Sequence, residues 1–180
     1  MRLIDFIMAF LGLILLAPLL LLLAIIIKCD SKGPALFRQT RIGKNGDPFT
    51  CLKFRTMQTG TENVPTHEVG IGQITKVGQN LRRFKLDEIP QLINVLCGKM
   101  SLVGPRPCLP SQTELINARE QSGALKVLPG ITGLAQIEGI DMSEPQRLAK
   151  RDGEYAQTRT LCGDLAIIVK TFTHILKSKS

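Results

Sequence analysis

Residues 6–27 read FIMAFLGLILLAPLLLLLAIII, an unbroken run of 22 uncharged, mostly aliphatic residues with a single proline, Pro18, inside it. As a straight helix the run is about 33 Å long, enough to cross the hydrocarbon core of a bilayer. Pro18 lacks the N–H that would bond the carbonyl of Ile14, so the helix is expected to break or kink there. The two parts, residues 6–17 and 18–27, would then measure about 18 and 15 Å, each near the depth of one leaflet. Two topologies fit: a kinked helix that spans, and a re-entrant helix that turns near Ala17-Pro18 and leaves on the side it entered. Positive charge flanks the run at both ends, through Arg2 with the amino terminus and from Lys28 onward, which leans toward the re-entrant form. The run ends in Lys28-Cys29-Asp30 without a small-residue cleavage site, so it is read as a retained anchor.

The chain thus divides into an anchor, residues 1–28, and a body, residues 29–180. Of 180 residues, 23 are Lys or Arg and 15 Asp or Glu, a net charge of +8. Residues 1–27 hold one cation and one anion, so the whole excess belongs to the body. Trp is absent and Tyr occurs once, which removes the stacking platforms that single-stranded nucleic-acid binding uses. Anionic lipid headgroups are the simpler partner for such a body beside such an anchor. The five cysteines are odd in number and include no C-x-x-C pair. That pattern favours a reducing, cytosolic body and argues against a zinc site. His67 and His174 stand alone and are assigned to no metal.

Beyond Ser31-Lys32-Gly33-Pro34 a β-hairpin is predicted, from Ala35 to Met57 around Gly43-Lys44-Asn45-Gly46-Asp47, because Asn-Gly between apolar-rich runs is a strong hairpin signal. Its second strand places Lys53 and Arg55, followed by Thr56, on one face, either solvated or turned to phosphate. Residues 58–73 read as a polar loop and residues 74–84 as a helix. Further helices are predicted from the capping-box spacings at Ser111-Gln112-Thr113-Glu114 and Ser143-Glu144-Pro145-Gln146. A last helix carries Leu165, Ile168, Val169, Phe172, Ile175 and Leu176 on one stripe, which suits a membrane surface or, more commonly, packing on the body's own core. The fold class is α+β, a mostly helical body with a small hairpin on the N-terminal membrane helix.

Chemistry concentrates in Arg82-Arg83-Phe84-Lys85-Leu86-Asp87-Glu88-Ile89-Pro90-Gln91-Leu92. Pro90 fits the first turn of a helix running to about Leu96, which puts Asp87 at its N-terminus. Exposed N–H groups and the helix dipole favour a carboxylate or a phosphate there, although a plain N-cap explains an Asp equally well. In Gly104-Pro105-Arg106-Pro107 two prolines restrict the backbone around Arg106, a guanidinium suited to phosphate or simply exposed on a turn. The glycines of Pro129-Gly130-Ile131-Thr132-Gly133-Leu134-Ala135-Gln136 suit either a close approach to ligand or a tight turn. Paired carboxylates among cations beside a membrane suggest phosphoryl chemistry, with hard oxygens that suit Mg²⁺.

Residues 86–96, 101–107 and 129–136, with Lys53 to Met57 and the N-terminal run, resemble the bacterial monotopic phosphoglycosyl transferases, which start lipid-linked glycan assembly for products such as exopolysaccharide and lipopolysaccharide. The resemblance covers nearly the whole chain. It implies transfer of a phosphosugar from a UDP-sugar to polyprenyl phosphate, releasing UMP, by a ping-pong route through a covalent aspartyl-phosphosugar. It further implies Asp87 as nucleophile, Glu88 as its partner in metal binding or proton transfer, and Mg²⁺ held by Asp87 and Glu88. Arg82, Arg106, Lys53, Thr56 and Gln136 are the implied phosphate or substrate contacts. The resemblance also implies a re-entrant helix broken near Pro18 and a body on the cytoplasmic face of the inner membrane; a homodimer is left open. Two positions depart from the family pattern: Ala17 stands where many relatives have Ser, and Gly139-Ile140-Asp141 where many carry an Arg. A non-catalytic basic membrane module and a membrane phosphohydrolase using the same carboxylates are the alternative readings.

Overall fold

The computed structural model describes residues 2–58 and 74–177. The loop predicted over residues 58–73 falls, from residue 59 on, outside the described residues. One helix, α1 (Arg2–Asp30), takes up the entire apolar run. The body carries a hairpin of β1 (Leu36–Ile42) and β2 (Pro48–Phe54), then α2 (Lys76–Arg83), α3 (Gln91–Leu96), β3 (Ser101–Val103) and α4 (Thr113–Ser122). It ends with β4 (Gly130–Thr132), α5 (Leu134–Ile137), α6 (Pro145–Thr158) and α7 (Leu161–Lys177). This is the predicted α+β body, mostly helical.

The hairpin pairs antiparallel from Leu36 opposite Phe54 to Ile42 opposite Pro48. Asn45 and Gly46 take left-handed backbone, φ 57° and 82°, which is why that dipeptide sits at the turn. β3 and β4 form a second, parallel pair that the sequence did not reveal, since three residues are too few to carry an alternating pattern. Neither capping box forms. Gln112, not Ser111, precedes α4 and its Oε1 accepts from Leu109 N, while Ser143 bonds Asp141 instead of capping α6.

α1 lies along the body over its whole length. Ala9 packs with Phe49, Cys51, Val95 and Met100, and Leu23 and Ile27 pack with Ala35, Phe54 and Leu81. Near its start Asp5 accepts hydrogen bonds from Ser101 Oγ (2.8 Å) and Leu102 N (3.3 Å), and Arg2 rests against Gly98. At its end the Arg55 guanidinium donates to Ile27 O (3.3 Å), Ser31 O (2.6 Å) and Pro34 O (2.6 Å). The break or kink expected at Pro18 does not interrupt the helix, whose backbone stays helical through the proline from Arg2 to Asp30. A proline removes one hydrogen bond, and here the turns on both sides are held against the body, Gly12 at Leu92 and Leu19 and Leu20 beside Leu23.

The opposite face of α1 is open, with Leu3, Leu11, Ile14, Leu15, Leu21 and Leu22 all exposed. α7 widens this apolar surface, nearer to the membrane-surface reading of its stripe than to packing on the core. Leu165, Val169 and Phe172 point outward, while Ile167 joins Val103 and Tyr155 in the core and Ile168 packs against them. Polar bonds choose the inner face: Asp164 accepts from Tyr155 Oη (2.7 Å) and Arg159 Nε (2.9 Å), and Thr171 Oγ1 meets Thr132 Oγ1 at 2.7 Å.

α2 is started by Thr75, whose side chain accepts from Gly78 N. It approaches β2 so closely that a Cβ on Gly78 would stand 2.1 Å from the Thr56 carbonyl oxygen. Gly78→Ala should therefore lower stability by about 1–3 kcal/mol or more through overpacking. Gly12→Ala, whose Cβ would meet Leu92 at an ordinary 3.4 Å, should leave it nearly unchanged. Thermal unfolding of both variants in the same detergent checks the pair, and equal melting temperatures would contradict the packing argument.

Candidate active site

Lys85, with φ 53°, turns the chain out of α2 and into a 3₁₀ turn, Leu86–Glu88. Short-range bonds continue it, Ile89 N to Leu86 O and Leu92 N to Ile89 O, into α3. The α-helix predicted from Asp87 thus begins at Gln91, with Pro90 at its cap, where a missing N–H does no harm. Asp87 and Glu88 sit in the turn ahead of it, only 9% and 6% exposed.

The adjacent carboxylates have opposite surroundings. Glu88 Oε1 accepts from Lys53 Nζ on β2 (2.9 Å) and from Arg106 Nη2 (2.5 Å), and Oε2 has only a 3.4 Å contact with Arg106 Nη1. Burial pushes the Glu88 carboxyl up, but Arg106 and then Lys53 outweigh it and hold its pKa far below the usual range. Asp87 has no hydrogen-bond or ion-pair partner among the described residues. Burial first, and the Glu88 charge second, push it up to about 6, with Lys53, Arg106 and Arg82 offsetting part of the rise. The helix terminus expected to favour a carboxylate does not lower the Asp87 pKa. α3 has six residues, its dipole acts only over the nearest turn, and burial is the larger effect.

Arg82 reaches the same place from α2. Its Nε donates to Thr56 Oγ1 (2.9 Å), and its charge is felt by Asp87. Thr56 is buried and engaged in orienting Arg82. Arg83 is exposed and stacks over Phe84, and Arg55 serves the end of α1, so these two cations lie apart from the carboxylates. Gln136 donates to Ile131 O at 3.4 Å, its Oε1 is buried without a partner, and no hydrogen bond among the described residues joins it to Asp87 or Glu88. The glycines of its turn serve chain packing: a Cβ on Gly130 would stand 2.1 Å from Gly104 N, and one on Gly133 2.3 Å from Gly104 O. Ile140 is buried in an apolar cluster with Leu115 and Leu148.

Two residues that sequence reasoning passed over are Arg41 and Arg119, both buried behind residues 104–108. The signal for Arg119 is its place on the inward stripe of α4 with Leu115 and Ala118, where a charge needs a reason. Lys53, Arg82 and Arg106 outnumber the two carboxylates, so the site keeps a positive surplus that favours an anion. No cluster of three or more His, Cys, Asp or Glu suited to a metal occurs among the described residues. A divalent ion here would share the Asp87-Glu88 pair with phosphate oxygens, which is the usual manner of Mg²⁺.

A buried carboxylate without a hydrogen-bond or ion-pair partner among the described residues, close to three cations on a body with a broad apolar face, fits one class: membrane-associated enzymes that handle phosphorylated substrates. The chain belongs to the bacterial sugar transferase family, whose model matches residues 1–178. It is 44% identical over 185 residues to the UDP-glucose:undecaprenyl-phosphate glucose-1-phosphate transferase of Caulobacter vibrioides, covering 97% of this chain and 69% of the relative. It is 37% identical over 193 residues to the exopolysaccharide production protein ExoY of Sinorhizobium fredii, covering 97% and 84%. The UDP-glucose:undecaprenyl-phosphate glucose-1-phosphate transferase of Escherichia coli is 39% identical over 183 residues, 93% of this chain but 38% of that longer protein.

The two carboxylates predict opposite effects of isosteric amides. Asp87 keeps its proton more readily in the folded chain, so its ionisation weakens the fold as pH rises from the ordinary carboxylate range through about 6. Asp87→Asn should raise stability at neutral pH by about 1–3 kcal/mol, with the gain shrinking toward pH ~4. Glu88 stabilises as an anion above its unfolded pKa, so Glu88→Gln should lose at most about 3–5 kcal/mol at neutral pH. Melting temperatures across that pH range decide the matter, and shifts of the same sign would refute the assignment.

Proposed function

We propose that this chain transfers a sugar 1-phosphate from a UDP-sugar to polyprenyl phosphate, by a ping-pong route through Asp87. UDP-glucose and undecaprenyl phosphate, the substrates in its relatives' names, are the first pair to test. The observation that carries the reading is the asymmetry of the pair: Glu88 takes Lys53 and Arg106, and Asp87 is left buried, without a hydrogen-bond or ion-pair partner among the described residues and raised to about 6. At neutral pH such a carboxylate is mostly ionised, yet more basic than an ordinary one, which suits a nucleophile.

In the first step an Asp87 oxygen attacks the β-phosphorus of the UDP-sugar. The bond from that phosphorus to the bridging oxygen breaks, and UMP leaves with the electron pair. The enzyme then holds an acyl phosphate that bears the sugar. In the second step a phosphate oxygen of the lipid attacks the same phosphorus, the acyl oxygen departs, and Asp87 returns as a carboxylate. Lys53, Arg82 and Arg106 neutralise the phosphate oxygens in both steps. Asp87 and Glu88 Oε2 would hold Mg²⁺ with diphosphate oxygens, and the ion would supply further charge neutralisation.

The acceptor is a lipid, and the reading includes a seat for it. α1 with residues 1–28 would lie in one leaflet, the outward faces of α1 and α7 in contact with lipid, and the body on the cytoplasmic face of the inner membrane. Both ends of α1 are tied to one body, which supports a re-entrant seat over a span.

Asp87→Asn should cut UMP release from UDP-glucose by several orders of magnitude. Sugar-labelled UDP-glucose given without lipid acceptor should leave label on the wild-type protein and none on the variant; near-normal turnover by the variant would end the nucleophile assignment. For topology, Leu3→Cys in a background with Cys29, Cys97 and Cys162 replaced by Ser should react with an impermeant maleimide in inside-out vesicles only. Reaction in intact spheroplasts would exclude the re-entrant seat.

A further inference from the structure

Arg106 sits on a stretch of backbone whose carbonyls are all engaged. Pro105 O accepts from Gly130 N (2.9 Å), Arg106 O from Arg119 Nη1 (2.9 Å), Pro107 O from Arg41 Nη1 (3.1 Å) and Cys108 O from Ile42 N (2.9 Å). Four consecutive carbonyls are thus held by donors from β4, α4 and β1. Two of those donors are arginine side chains, and each is itself fixed along another edge. Arg119 Nε and Nη2 grip Asp152 Oδ2 at 3.0 and 2.6 Å, with both residues 2% exposed. Arg41 Nε and Nη2 grip Gln39 Oε1 at 2.9 and 2.6 Å.

Stability alone is a weak reason for this arrangement. A buried ion pair rarely outperforms apolar residues of the same volume, because both charges lose their hydration. A planar guanidinium held along one edge, however, aims its remaining N–H in a fixed direction. Pro105 and Pro107 restrict the backbone on either side. The combined effect is to set where the Arg106 side chain starts, and that side chain ends on Glu88.

We propose that Arg119, oriented by Asp152, and Arg41, oriented by Gln39, are positioning residues that aim Arg106 at Glu88 and the transferring phosphate. The inference rests on the reading of Arg106 as a phosphate contact. Lysine at position 41 or 119 keeps the charge but cannot grip its partner and the carbonyl together.

The test is UMP release from UDP-glucose by the full chain in lipid nanodiscs, for Arg119→Lys, Arg41→Lys and Arg106→Ala, and for each lysine variant combined with Arg106→Ala. Each lysine variant should lose up to about 100-fold in kcat/KM, the scale of a small misplacement of a binding group. In the Arg106→Ala background the same substitutions should change turnover less than about twofold, since no guanidinium remains to misplace. Equal losses in both backgrounds would assign the arginines to general packing and overturn the proposal, as would full activity of both lysine variants. If Arg106→Ala alone is fully active, the phosphate reading of Arg106 itself falls, an outcome distinct from additivity. Should Arg119→Lys fail to fold, the Arg41→Lys cycle decides alone.

Discussion

One carboxylate, Glu88, ties together three segments far apart in the chain: β2 through Lys53, the turn before α3, and the loop after β3 through Arg106. Removing these charges from water carries a penalty of several kcal/mol for each ion, so the junction persists only because the geometry is short and shared. Two cations on one anion also leave a surplus of positive charge beside Asp87. That surplus is smaller than the combined penalty of burial and the neighbouring Glu88, which is why Asp87 still rises to about 6. Phosphate completes a charge balance that the protein leaves open.

The same strand supports the membrane-facing helix. Within four residues Lys53 holds Glu88, Arg55 holds the last turn of α1, and Thr56 holds Arg82. Any tilt of α1 against the body is therefore felt within two residues of a site cation. At the other end Asp5 binds Ser101 and Leu102 at the start of β3, and the chain reaches Arg106 three residues after that strand ends. The seat and the site share their fastenings, which fits a reaction whose acceptor resides in the lipid.

Much of this was legible in the sequence, for identifiable reasons. The apolar run, the Asn-Gly hairpin, the helix over residues 76–83 and the end of α3 before Gly98 each depend on local periodicity or on one residue's backbone preference. The carboxylate pair stood out because it follows a run of cations in the chain, although of that run only Arg82 acts on Asp87. What was not legible depends on partners distant in sequence. Lys53 and Arg55 share a strand face by period, yet one serves the site and the other α1, a division made by what packs above each. The polar residues that turn α7 inward are chosen by Tyr155, Arg159 and Thr132, none of which a helical wheel contains. Arg41 and Arg119 hold main-chain carbonyls, and no side-chain pattern records a carbonyl.

Asp87 looked in the sequence like a helix cap, and the structure gives it a different physical character. A cap is stabilised by the backbone it bonds, and its carboxyl is drawn below the ordinary range. Asp87 is raised instead, because burial and Glu88 both oppose its charge. The fold consequently loses stability by ionising it, and whatever relieves that charge gains what the fold has given up. In the proposed route, attack on phosphorus would do this directly, since the carboxylate charge would pass into the new bond while Lys53, Arg82 and Arg106 would receive the phosphate oxygens. Glu88 holds Lys53 and Arg106 in place, and for that task a carboxylate held far below its usual pKa is the suitable neighbour. On that reading the dyad would work through its inequality: one carboxylate is fixed as a charge by Lys53 and Arg106, and the other is left able to give its charge away.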